Sequence, residues 1–163
     1  MKTKLGLILL VALLFIACVP KEAAETQAVE DDSQAVTEHP RAVADSLTAE
    51  ESVAALAAAE NWLKFVDNKQ WDESWENAAV IIQNHVPKEQ WSSKMVEAFT
   101  PFGDCVSREF LTSVYKTELP GAPFGKYLII RYRCEYSSKA NVIETVTPMF
   151  ESGEWKVSGY YIR

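Results

Sequence analysis

A chain of 163 residues with 48% apolar and 24% charged side chains has room for one domain plus extensions, because domains typically run to about 100 to 150 residues. Its formal charge of −7 argues against nucleic acid as a partner, since phosphates need clustered Lys and Arg. Two histidines and three scattered cysteines give no metal-ligand spacing, so neither a metal nor a cofactor is expected.

Lys2 and Lys4 precede an apolar run from Leu5 to Ala17, too short for a spanning helix of about 20 residues but right for a secretory leader. Residues 1–17 are therefore read as a signal peptide. The run closes on Phe15-Ile16-Ala17-Cys18, which resembles the bacterial lipoprotein signal, where a small residue precedes a cysteine that receives lipid and becomes the new N-terminus. The resemblance implies lipidation of Cys18. Val19 in place of an acidic residue implies, on the same resemblance, the outer membrane of a Gram-negative cell, with the domain facing the periplasm. Each buried methylene of an acyl chain contributes about 0.8 kcal/mol, so several chains hold a small domain at the bilayer. Loss of Lys2 and Lys4 with the leader takes the charge from −7 to −9.

Residues 18–46 comprise the lipidated cysteine and a segment with seven acids against Lys21 and Arg41, no aromatic residue, and prolines at 20 and 40. Such a composition cannot bury enough apolar surface to offset its ordering entropy, which predicts a disordered acidic tether. His39 within it is read as solvated.

The folded domain is placed at 47–163. Thr48-Ala49-Glu50-Glu51 matches a capping box, and Val53, Leu56, Ala57, Leu63 and Val66 recur at helical spacing up to Asp67-Asn68-Lys69. A second amphipathic segment, Trp71 to Gln83, carries Trp71, Trp75, Ala78, Ala79 and Ile82 on one side. A third begins with Pro87 in the first helical position and aligns Trp91, Met95 and Ala98 or Phe99. Four of the five tryptophans fall in these helices, and such a stripe reads as core. His85, just ahead of Val86-Pro87, reads as a helix-end or surface residue.

After Thr100-Pro101-Phe102-Gly103 the period changes to 2. Val106, Arg108, Phe110, Thr112 and Val114 alternate with more polar neighbours, and Leu128, Ile130, Tyr132, Cys134 and Tyr136 form the inner side of a second strand. The last twenty residues fold at Ser152-Gly153 into a hairpin. Simple register pairs Phe150 with Trp155, Val146 with Gly159 and Glu144 with Tyr161. That puts Val142, Val146, Pro148, Phe150, Trp155, Val157 and Tyr161 inside with Glu144. Thr145, Thr147, Met149, Lys156, Ser158 and Tyr160 fall outside, and with Ile162 they offer a face for an interface. The pattern predicts an α+β fold in which three N-terminal helices pack on a curved four-stranded antiparallel sheet.

Trp62-Leu63, Val66-Asp67, Trp71, Ser74-Trp75, Gln90-Trp91, Ser107-Arg108, Leu119-Pro120-Gly121-Ala122-Pro123, Glu144-Thr145-Val146-Thr147 and Trp155 through Arg163 resemble the domain of unknown function 4019 family over roughly residues 55 to 163. That family implies no settled biochemical role. Its order of helices then sheet is similar to the cystatin-like, nuclear transport factor 2-like cone, a fold hosting isomerases, dehydratases, binding modules and scaffolds, so the likeness decides no function.

Parity puts Arg108 and Glu144 together on the concave side, among Phe110, Tyr132, Val146 and Tyr161. A buried pair neutralises itself where a single charge is costly, so a structural ion pair stands beside a binding site of Arg108, Glu144, Tyr132 and Tyr161. Cone enzymes commonly use an acid or base in this cavity, which would make Glu144 the catalytic candidate. A general base needs a raised pKa, however, and Arg108 would lower it. Cys105 and Cys134 lie on neighbouring strands in an oxidising compartment, which allows either a disulfide or two separate buried thiols. In simple register Cys134 faces Phe110, and a bridge would need a bulge or a bend. Two functions follow. The preferred one is a lipid-anchored, non-enzymatic envelope domain binding a partner protein or a small apolar ligand. The alternative is a small cone-type isomerase, dehydratase or hydrolase using Glu144.

Overall fold

The computed structural model describes residues 46–163. The leader, the lipidation at Cys18 and the tether up to residue 45 fall outside the described residues.

Helix α1 (Ala49–Asp67) starts where the capping box places it: the Glu51 amide donates to the Thr48 hydroxyl at 3.1 Å, and the Thr48 amide to Glu51 Oε2 at 2.9 Å. Two otherwise unpaired donors are satisfied by one reciprocal contact. Its inner side buries Ala55, Ala59, Trp62, Leu63 and Val66, and the two alanines let the helix approach the sheet closely. The helix closes at Asn68, and Lys69 turns the chain with φ 58°.

The segment read as one second helix is two, α2 (Trp71–Glu76) and α3 (Val80–His85). Between them Ala78 bridges Val157 in parallel, and the Ala79 amide donates to the Val157 carbonyl at 2.8 Å. Both alanines are buried, so the chain exchanges helical hydrogen bonds for pairing along a strand edge. α4 (Lys88–Phe99) buries Trp91, Met95 and Phe99, with Pro87 in the capping position one residue before its first turn.

Among the described residues the helices are thus four rather than three, and they precede β1 (Cys105–Lys116), β2 (Tyr127–Tyr136), β3 (Lys139–Glu151) and β4 (Glu154–Ile162). The strands form one antiparallel sheet in the order β1-β2-β3-β4, giving an α+β fold. α1 lies across β3 and β4 and touches β2. The main core joins α1 and α4 to Leu128, Ile130, Tyr132, Cys134, Tyr136, Val142, Val146 and Val157. Three tryptophans in or against this core have their indoles satisfied: Trp62 donates to the Ser74 carbonyl at 2.7 Å, Trp91 to the Ser74 hydroxyl at 2.9 Å, and Trp75 to the Val86 carbonyl at 2.7 Å. Ser74 itself is fully buried.

Two bulges change the expected parity. In β1, Phe110 pairs with Tyr132 and Thr112 with Arg131, leaving Leu111 as the extra residue. Beyond it Thr112 and Val114 turn outward, while Ser113 and Tyr115 take the inner side opposite Ile130 and Leu128. In the hairpin, Phe150 pairs with Trp155 as expected, yet Pro148 pairs with Val157 and Thr147 with Gly159, leaving Ser158 over. Proline offers no N–H to the ladder, and the Ser158 hydroxyl instead donates to the Thr147 carbonyl at 2.7 Å. An odd insertion reverses every later side chain. Val146 therefore faces Tyr160 rather than Gly159, and Glu144 faces Ile162 rather than Tyr161.

The hairpin turn itself follows its residues: Ser152 (φ 50°) and Gly153 (φ 90°) both adopt left-handed backbone, as a tight two-residue connection between twisted strands requires.

Candidate functional site

Glu144 occupies an inner position of β3 between Val142 and Val146, directly opposite Tyr132 of β2. Its side chain is fully excluded from water. A carboxylate placed there must be neutralised and its lone pairs filled. Arg108, opposite Cys134 on β1, supplies the charge: its Nε donates to Glu144 Oε2 at 2.5 Å and its Nη2 to Oε1 at 3.3 Å. The Tyr160 hydroxyl donates to Oε1 at 2.6 Å, the Tyr136 hydroxyl donates to the same oxygen, and the Cys134 thiol donates to Oε2 at 3.0 Å.

The guanidinium also reaches the end of α1. Arg108 Nη1 and Nη2 donate to the two Asp67 oxygens at 2.8 Å each, a bidentate fit that suits the planar fork of Arg. Asp67, Arg108 and Glu144 therefore tie helix, edge strand and sheet centre into one charged chain. The electrostatics match. Burial alone would raise the Glu144 carboxyl, but the hydrogen bonds and charge of Arg108, with those of Tyr136 and Tyr160, outweigh it and hold the group below its ordinary value. Burial opposes the charge on Arg108, and Asp67 and Glu144 together overcome that and raise it. Burial, then the adjacent Glu144 charge, pushes Cys134, Tyr136 and Tyr160 upward, which keeps all three protonated as donors.

The expected concave site is thus assembled in part. Arg108 and Glu144 meet as the parity argument required. Tyr132 lies inside with its ring edge-on to Phe110 at 6.2 Å, and its hydroxyl has no hydrogen-bond partner among the described residues; burial raises it to about 12. Tyr161 does not join them. It points outward, 48% exposed, opposite Thr145, because the Ser158 bulge gave its place to Tyr160. The face proposed for an interface changes for the same reason: Tyr160 has left it, Ser158 is bonded to the backbone, and Met149 is buried in a small cluster with Ala79 and Tyr127. Cys105 and Cys134 are both free. The register sets Cys105 opposite Tyr136 and Cys134 opposite Arg108, and the Cys134 thiol is turned to Glu144.

Asp67, Tyr136 and Tyr160 complete the cluster and were not singled out from the chain. Asp67 left a signal, since an acid in the last turn of a helix opposes the helix dipole and calls for a cation. Tyr136 shares the inner parity of β2 with Tyr132. Tyr160 had no signal short of locating the bulge. His85 is exposed, with Nδ1 2.7 Å from the Ile81 carbonyl one turn back. Among the described residues no three His, Cys, Asp or Glu side chains gather as a metal set.

Glu144 lines neither of two concavities beside α1. A recess of about 10 Å³ bounded by Asp67, Cys105 and Tyr136 has room for about one water. A second concavity, an open groove of about 730 Å³, lies on another side of α1, lined by that helix, Phe150 and Glu154 to Val157 of β4.

The family model described as protein of unknown function (DUF4019) matches residues 58–160. No curated protein matches the chain.

Proposed function

The chain belongs to the DUF4019 family, whose description names no activity, and from that premise we propose that it is a lipid-anchored, non-enzymatic domain of the cell envelope that binds a partner protein. The observation that carries the reading is the state of Glu144. A general base needs a free lone pair, access to substrate and a pKa near working pH. Glu144 is sealed from water, has both oxygens filled by Arg108, Tyr136, Tyr160 and Cys134, and is held below its ordinary pKa. The charged chain from Asp67 to Glu144 then serves the fold, and the binding surface lies elsewhere. The helices-then-sheet order supports a reading of the finer architecture as the cystatin-like, nuclear transport factor 2-like cone with its cavity filled in. Attachment through Cys18 and an outer-membrane site facing the periplasm rest on the lipoprotein-like sequence that ends there.

Two measurements on the full chain, expressed in a Gram-negative host, test this. Metabolic labelling with a palmitate analogue is expected to mark the wild type and leave Cys18→Ala unlabelled and outside the membrane fraction. A photo-crosslinking residue placed in turn at exposed positions such as Phe110, Val114, Phe150 and Tyr161 is expected to trap a protein of defined mass from one cluster of positions. Equal fractionation of the two chains would remove the anchor, and no adduct at any position would remove the partner.

A further inference from the structure

We propose that the groove between α1 and the β3–β4 hairpin docks a basic amphipathic helix of the partner, an inference that rests on the partner-binding reading and names its site. On α1 the lining residues Glu50, Ala54, Ala58, Asn61 and Phe65 recur at helical spacing along one side. At 1.5 Å per residue they span about 22 Å, or four turns. Ala54, Ala57 and Ala58 in the middle of that length let a second helix approach to the 8–10 Å separation of packed helices. The opposite wall is aromatic. Phe150 is 39% exposed although it belongs to the inner face of β3, and it meets Trp155 at 5.5 Å, ring edge to face. Aromatic anchors in a concave surface are where binding energy concentrates at protein interfaces, and a helix laid in a groove is a recurrent mode of recognition.

Charge selects the occupant. Among the lining residues Glu50, Glu51 and Glu154 are acids and Lys156 is the one base. Lys126 and Lys156 pair with Glu51 and Glu154, and Glu50 has no ion pair among the described residues. The chain's own tether, with its seven acids against two bases, and a second copy of a chain carrying −7 both meet this rim with like charge. A helix with an apolar face flanked by Lys and Arg meets it with opposite charge.

The test is fluorescence anisotropy of two labelled 16-residue helical peptides with the same leucine face, one carrying Lys and the other Glu on its remaining sides. Each is titrated with the purified full chain at 0.15 M ionic strength. The Lys peptide is expected to bind saturably, and the Glu peptide not at all. Ala58→Trp, which fills the floor at a partly exposed position, is expected to weaken binding at least tenfold, and Glu50→Lys several-fold. Should Ala58→Trp fail to fold, Phe150→Ser carries the same comparison. Equal affinity of folded variant and wild type, or equal binding of the two peptides, overturns the proposal. So does a dimer in sedimentation that Ala58→Trp dissolves, which gives the groove to a second copy, and so does tighter peptide binding on deletion of residues 19–45, which gives it to the tether. Each of these outcomes leaves the crosslinking result intact, so loss of the groove is distinguishable from loss of the partner.

Discussion

The two edges of the sheet end in opposite states. β4 is roofed by α1, and its outer edge is taken by Ala78 and Ala79, whose backbone pairs with Val157. β1 presents Val106, Phe110 and Val114 at 71%, 50% and 46% exposure, with its outer edge unpaired among the described residues. An exposed edge invites pairing with another chain, and bulges are one device that discourages it; β1 carries two register breaks, near Val106 and at Leu111. Arg108 ties the bare strand to α1 through Asp67 and to β3 through Glu144. The lesson is that an ion pair here stands where the other edge has apolar packing. β1 meets α1 through a guanidinium, and β4 meets it through apolar and aromatic side chains.

That contrast breaks most visibly if Arg108 is removed. Arg108→Ala leaves Glu144 buried and uncompensated, and a loss of about 3–5 kcal/mol is expected in urea unfolding. A loss below 1 kcal/mol would mean that β1 is held some other way. On the packed side, Ile130→Ala, at a fully buried position of the main core, is expected to cost about 2–5 kcal/mol by the cavity it leaves.

The tyrosine pair in β4 sharpens the comparison. Tyr160→Phe removes one donor from Glu144 and is expected to cost about 1–3 kcal/mol, whereas Tyr161→Phe, at a half-exposed site, should stay within about 0.5 kcal/mol. Equal effects would place the bulge elsewhere. Stability against pH follows from the same cluster. Glu144 is held below its ordinary 4.5, so its contribution is present above pH 4.5 and is lost as pH falls through the lower folded value. Tyr136 and Tyr160 are raised above their ordinary 10.0, so their contribution is present below pH 10 and is lost as pH rises through the higher folded values. Urea midpoints are therefore expected to be level across neutral pH and to decline at both ends, and Glu144→Gln should flatten the acid limb. The smallest effect belongs to the bare edge: Val106→Thr or Val114→Thr should shift stability by no more than about 0.5 kcal/mol. A larger loss would show that the edge is covered in solution.

Much of the site was legible in the chain because it depends on local periodicity. The inner parity of β2 follows from Leu128, Ile130, Tyr132, Cys134 and Tyr136 alone, and the alternation of Val142 and Val146 put Glu144 inside; that it stands opposite Tyr132 came only with the register. Arg108 precedes the Leu111 bulge, so its parity survived as well. Tyr161 and Val114 lie beyond bulges, and there the same reasoning put the wrong side chain inward. The second helix failed for a related reason: its amphipathic spacing continues through Ala78-Ala79, but the strand edge at Val157 captures the backbone there.

What the residues determined unaided is whatever is written in neighbours a few positions apart: the capping box at Thr48, the change of period after Gly103, the turn at Ser152-Gly153 and the inward side of β2. Hydrogen bonds and side-chain sides of that kind form within one element. The break at Ala79, the extra residue at Ser158 and the company around Glu144 each require a partner from a distant part of the chain. Only packing between elements could choose them, because a one-residue slip costs little locally and is decided by which side chains the core will accept.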